Sequence, residues 1–172
     1  LRVGEVCRLT VADVAFERCL LVIRESKFYK SRLVPFGPKL AELLQTYLQR
    51  KTQQCGYCTP DAPLFALRGG RAINPGTVSQ TFHQLVPQLA LAVPPGCSPP
   101  RLHDLRHSFA VGALLRWYRS GADPQTHLLA LATFLGHVDV NSTAVYLTTT
   151  QPLLEEANRR FEAFVTPALR EG

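Results

Sequence analysis

Methionine is missing from all 172 residues, and tryptophan occurs once. No apolar run approaches the ~18–20 residues that a membrane-spanning helix needs, and no secretory leader pattern opens the chain. Internal repeats and low-complexity tracts are absent too, which excludes a stacked-repeat architecture. What remains is an ordinary apolar share of 46%, in a chain long enough for one domain with a core and too short for two comfortable ones. These features read as those of a cytoplasmic protein. The missing methionine has a second consequence. The chain opens in mid-pattern at Leu1-Arg2-Val3-Gly4-Glu5, with Arg2, Val6 and Leu9 on one helical face and no capping residue ahead of them. It is therefore read as the C-terminal piece of a longer protein.

Acidic residues are also in short supply: 13 Asp and Glu against 19 Lys and Arg, a formal net charge of +6 and a pI near 9.3. Such an excess favours polyanions through counterion release, so nucleic acid is the natural partner class. The five cysteines are too few and too scattered for a disulfide framework. Cys55 and Cys58 have half the spacing of a zinc knuckle, but no second Cys or His pair sits at a matching distance. His83 and Cys97 are available as distant ligands with nothing to select them, so the cysteines read as reduced thiols and no metal is expected.

Local patterns order the chain as a mostly helical α+β protein. Cys19–Arg24 and Ser31–Phe36 are rich in branched apolar residues and read as strands, joined by the polar, basic tip 25–30 into a small antiparallel sheet of two or three strands near the N-terminus. Pro38 suits the first turn of a helix bearing Leu40, Leu43, Leu44, Tyr47 and Leu48, and Lys51–Pro63 reads as a loop. Asn74-Pro75 starts a helix with Val78, Phe82, Leu85, Val86 and Leu89 on its apolar face. The proline-rich stretch 92–100 is a linker. Beyond it, a long helix from His103 to about Tyr118 shows Leu105, Phe109, Leu114, Leu115 and Trp117 on its apolar side and stops at Gly121. Asp123-Pro124 caps the next helix, which ends at Gly136, and Asn141 leads a short one carrying Tyr146. Pro152 opens a last amphipathic helix.

The chemistry-bearing residues crowd into Arg101–Tyr146. One end reads His103-Asp104-Leu105-Arg106-His107-Ser108. The other reads Leu135-Gly136-His137, with Tyr146 nine residues past His137. Metal-free cleavage of a phosphodiester needs a nucleophile, cations on the non-bridging oxygens, a base for the nucleophile's proton and an acid for the leaving oxygen. Arginine suits the oxygens because its planar fork pairs bidentately with phosphate. This chain holds candidates for every role, on separate segments.

His103-x-x-Arg106-His107-Ser108, Leu135-Gly136-His137 and Tyr146 together resemble the tyrosine recombinases, the phage integrase family. Leu1-Arg2-Val3-Gly4-Glu5 resembles that family's first arginine motif, and Lys27, five residues before Arg32-Leu33-Val34-Pro35, sits where the family has its β-hairpin lysine. The resemblance covers the whole chain and implies one domain over residues 1–172, the C-terminal catalytic domain, with an N-terminal core-binding domain and the start of the first helix missing. It implies a catalytic set of Arg2, Lys27, His103, Arg106, His137 and Tyr146, with Glu5 in support. Tyr146 would attack the scissile phosphate to give a 3′-phosphotyrosine, and Arg2 and Arg106 would clamp the non-bridging oxygens. Lys27 would protonate the leaving 5′ oxygen, His103 would take the tyrosine proton, and His137 would hydrogen-bond the phosphate. No cofactor and no metal are implied. The partners implied are double-stranded DNA and further copies of the chain, as a tetramer on synapsed sites, in a bacterial cytoplasm and at its nucleoid.

The segment Leu115–Thr126 is longer than the family's common spacing, and with Arg116-Trp117-Tyr118-Arg119 it is similar to integrases carried on transposons and other mobile elements. His127 has no clear counterpart, while His107 reads as structural and Trp117 and Tyr118 as core or domain-contact residues. The rival readings are a type IB-like topoisomerase activity, a catalytically inactive DNA-binding remnant of a mobile element, and a metal-binding module on Cys55 and Cys58.

Overall fold

The computed structural model describes residues 1–24, 31–55, 58–93, 95–137, 139–148, 155–156 and 158–159. They divide into two units, Leu1–Leu102 and His103–Gly172.

In the first unit the branched run Leu20–Ile23 forms the central strand, β2, of a three-stranded antiparallel sheet between β1 (Val14–Ala15) and β3 (Arg32–Pro35). Alternation along β2 buries Leu21 and Ile23, and the register sets Val34 opposite Leu21 and Arg32 opposite Ile23. The short helix α1 (Val3–Arg8) precedes the sheet, and a 3-10 turn at Val11–Asp13 joins them. That turn is closed by Asp13, whose carboxylate accepts from the Thr10 backbone N–H at 2.9 Å and from Arg24 Nε at 2.9 Å.

Helix α2 (Pro38–Cys55) runs further than its sequence suggests. The expected loop from Lys51 starts only after Cys55, because Lys51 lies on the helix and donates through Nζ to the carbonyls of Pro63 and Leu64. Leu64, fully buried, donates its N–H to the Leu9 carbonyl at 2.7 Å, so Pro63-Leu64-Phe65 packs back as expected. Helix α3 (Pro75–Leu85) starts as expected, with the Asn74 side chain accepting from the Gly76 N–H, but it stops earlier. Pro87 lacks an N–H and its ring blocks continuation, so Val86–Leu89 tightens into a 3-10 turn that buries Val86 and leaves Leu85 and Leu89 exposed.

The second unit holds α4 (Asp104–Arg119), α5 (Pro124–Leu135) and α6 (Asn141–Thr148). Its core is Ala110, Ala113, Leu114, Leu131, Leu135 and Tyr146. The buried stripe of α4 is Arg106, Ala110, Ala113 and Leu114, whereas Leu105 and Phe109 are exposed. The apolar spacing holds for Leu114, which is fully buried, and for Leu115 and Trp117, which pack against the core, while Arg106, Ala110 and Ala113 take the inward positions expected of Leu105 and Phe109. Phe109 instead stacks on Phe134 of α5 at 5.1 Å. The long segment 115–126 becomes the last turn of α4, a short connection and the first turn of α5. There the Asp123 side chain accepts from the Gln125 N–H, and His127 finds a place stacked on Trp117 at 4.8 Å. The basic hairpin tip 25–30 and most of the helix expected from Pro152 lie outside the described residues. Among the described residues, no helix is long and apolar enough to cross a membrane.

Candidate active site

Arg2 stands immediately before α1, and Glu5 lies in that helix's first turn, where a carboxylate is favoured by the helix dipole. The three-residue step turns Glu5 back on Arg2. Its carboxylate accepts the Arg2 backbone N–H at 2.8 Å and Arg2 Nη1 at 3.0 Å. A third residue, not singled out by its sequence context, completes the group. Arg32 at the start of β3 donates Nη1 to Glu5 Oε1 at 3.1 Å and Nη2 to Oε2 at 2.9 Å, a bidentate pair. Each Glu5 oxygen thus takes two donors. Burial alone would raise the Glu5 carboxyl, but the hydrogen bonds from Arg32 and from the Arg2 N–H, with the Arg32 charge, outweigh it and lower it from 4.5 to about 2. Two guanidiniums over one carboxylate leave this corner net positive.

In the second unit, His103 sits at the N-terminus of α4 and Arg106 three residues on, so the two share a helical face. Arg106 is buried, and its backbone N–H donates to the His103 carbonyl at 3.0 Å. His137 is aimed by the end of α5. Gly136 takes a left-handed conformation (φ 73°), its N–H bonds to the Thr133 carbonyl, and the His137 N–H reaches the Ala132 carbonyl at 2.9 Å. This is a Schellman turn, and it gives the Leu-Gly-His motif its physical reason. The His137 ring is then fixed through Nδ1, which shares a 2.6 Å hydrogen bond with the hydroxyl of the fully buried Thr143. Thr143→Val keeps the shape but removes that oxygen, and should cost about 1–3 kcal/mol of unfolding free energy in a denaturant titration. A change below about 0.3 kcal/mol would mean that the bond contributes nothing net.

Tyr146 on α6 meets both motifs. Its ring lies 6.3 Å from that of His137, nearly parallel, and 5.3 Å from that of His107, edge to face. His107 in turn meets His103 edge to face at 4.9 Å. The four rings form one continuous row, His103–His107–Tyr146–His137. Tyr146 is also a core residue, 8% exposed, so its ring is held by packing. The structure thus brings Arg2 together with Glu5 and His137 together with Tyr146, and links His103 to Tyr146 through the His107 ring. Lys27 lies outside the described residues. Nothing in a linear motif shows that His107, the residue after Arg106, faces a tyrosine from another helix. Thr143 and Arg32 were missed for the same reason. Among the described residues no group of three or more His, Cys, Asp or Glu could hold a metal ion. Cys58 is a free thiol, and the Cys55 side chain is outside the description.

Residues 1–151 match the sequence model of the phage integrase family. The integrase/recombinase-like protein y4rB of Sinorhizobium fredii is 42% identical over 162 residues, covering 94% of this chain and 52% of that protein. The chain spans about half the length of the curated relatives it matches. Among solved structures, the XerA recombinase superposes with a TM-score of 0.71 at 24% identity, over 93% of this chain and 53% of that one. The Tn1549 transposon integrase, solved with a circular intermediate DNA, gives 0.64 at 20% identity, over 95% and 54%. At these identities the two structures establish a shared fold: a mostly helical domain with a small antiparallel sheet. With the family match extending over 151 of the residues, the chain belongs to the phage integrase family, the tyrosine recombinases.

Proposed function

We propose that this chain is the C-terminal catalytic domain, residues 1–172, of a site-specific recombinase that cleaves and rejoins duplex DNA through a 3′-phosphotyrosine intermediate. The observation that carries the reading is the ring row ending in Tyr146 and His137, in a family whose name rests on a tyrosine nucleophile. Tyr146 attacks the scissile phosphorus, Arg2 and Arg106 neutralise the non-bridging oxygens, and His103 accepts the tyrosine proton. His137 donates to the phosphate through Nε2, in the tautomer whose Nδ1 accepts the Thr143 hydroxyl proton across their 2.6 Å contact. Lys27 protonates the 5′ oxygen as it leaves. The covalent phosphotyrosine stores the energy for religation, so the reaction needs no metal and no nucleotide cofactor. The working assembly is a tetramer on two synapsed DNA sites, and a transposon or similar mobile element is its source.

The test is covalent capture. The protein is incubated with a pool of nicked duplexes whose sequence around the nick is randomised, so that cleavage strands the enzyme on the DNA. A protein–DNA adduct that survives denaturation supports the reading, and its absence overturns it. The burial of Tyr146 favours a second reading, a catalytically inactive DNA-binding remnant, which predicts retained duplexes and no adduct. The role of Lys27 is tested separately. Lys27→Ala should slow cleavage by about 10²-fold or more with an ordinary 5′ oxygen leaving group, the usual scale for general acid catalysis. It should have little effect on a 5′-bridging phosphorothiolate, whose sulfur leaves without a proton. Equal losses on both substrates would assign Lys27 another role.

A further inference from the structure

The two arginines that share Glu5 are not equivalent. The Arg32 side chain is 9% exposed and spends both terminal nitrogens on the carboxylate, whereas the Arg2 side chain is 29% exposed and gives Glu5 one terminal nitrogen and its backbone N–H. The less exposed, bidentate partner sets where the carboxylate lies, and the carboxylate sets where Arg2 lies. Arg32 also comes from a different element. It is the first residue of β3, registered opposite the buried Ile23, while Arg2 and Glu5 belong to the start of α1. The Arg32–Glu5 pair therefore ties the N-terminus of α1 to the edge of the sheet. Without it, Glu5 would keep its contacts to Arg2 but lose the anchor that fixes both.

We infer that Arg32 is a positioning residue for strand cleavage: it orients Glu5, and through Glu5 holds the Arg2 guanidinium for the non-bridging oxygens of the scissile phosphate. The inference rests on the reading of Arg2 given under Proposed function. Outer partners that orient a reacting group commonly matter by about 10–100-fold, and that is the loss expected for Arg32→Met.

The experiment separates positioning from bulk stability by changing the phosphate. Duplexes enriched by adduct capture are remade with a methylphosphonate at the scissile position, where a neutral methyl group replaces one charged oxygen and the demand for a clamping cation falls. Arg32→Met should slow adduct formation about 10–100-fold on the phosphodiester and less than about threefold on the methylphosphonate, at a temperature where the variant is folded by circular dichroism. Arg32→Lys, which keeps the charge but not the fork, should recover only part of the rate. In an Arg2→Ala background, adding Arg32→Met should change nothing further. Equal losses on the two substrates, or additive losses in the double variant, would overturn the positioning role while leaving the nucleophile assignment intact. No adduct from the wild-type chain would instead overturn the strand-cleavage reading and this inference with it.

Discussion

Tyr146→Phe should abolish the covalent protein–DNA adduct, with a loss of at least about 10³-fold, because no other hydroxyl in the ring row can replace the nucleophile. The substitution is informative because so little else changes. The Tyr146 ring packs among Ala110, Ala113, Leu114, Leu131 and Leu135 and against two histidines, and phenylalanine keeps every one of those ring contacts. Stability should shift by less than about 1 kcal/mol, the net worth of one hydrogen bond. Retention of the DNA in a filter assay should also persist, since phosphate contacts from the basic side chains are untouched. Loss of adduct with retained fold and retained DNA would assign the chemistry to one oxygen atom. An adduct from the Phe variant would show that another group attacks, and the ring row would then be only a packing feature.

Glu5→Ala should be the most damaging substitution for the first unit, costing about 3–5 kcal/mol, the usual scale for breaking a buried ion pair from one side. Two arginines, one of them nearly buried, would face each other with no carboxylate between them. Against a typical total stability of roughly 5–15 kcal/mol, such a loss brings the unit close to unfolding at ambient temperature. The pH dependence gives an independent check. The folded carboxyl lies near 2 and the unfolded one near 4.5, so the folded state holds fewer protons in between. The stabilisation is complete above pH 4.5 and is lost as pH falls from 4.5 towards 2; integrated, it amounts to roughly 3 kcal/mol. Denaturant titrations at stepped pH should show that slope in the wild type, and Glu5→Gln should flatten it. If Glu5→Ala costs under about 1 kcal/mol and the acid slope is unchanged, the three-residue cluster is not formed in solution.

Much of the architecture was legible because it is written in neighbouring residues. Asn74-Pro75 and Asp123-Pro124 start helices through a side-chain acceptor and a missing N–H. Gly136 ends one through a left-handed turn, and the run Leu20–Ile23 makes a buried strand. Where the structure departs from the local pattern, a particular residue accounts for it. Lys51 extends α2 past the point where the local pattern ends it, through two carbonyl partners 12 and 13 residues away, and Pro87 ends α3 before its apolar spacing does.

The candidate site divides the same way. The identities and spacing of Arg2, His103, Arg106, His137 and Tyr146 were determined by the sequence, and so was membership of a family whose motifs are short and local. Which side chains accompany them was decided only by tertiary structure. Arg32 reaches Glu5 across 27 residues, which depends on the register of β3 against β2. His107 meets Tyr146, and Thr143 meets His137, because of how α4, α5 and α6 pack. The buried side of α4 takes in Arg106 and two alanines beside Leu114, and leaves Leu105 and Phe109 exposed. Capping, periodicity and motif spacing act over a few residues and can be read along a chain. The partner of a buried charge or ring is set by which surfaces close on each other, and a linear pattern carries no direct trace of that.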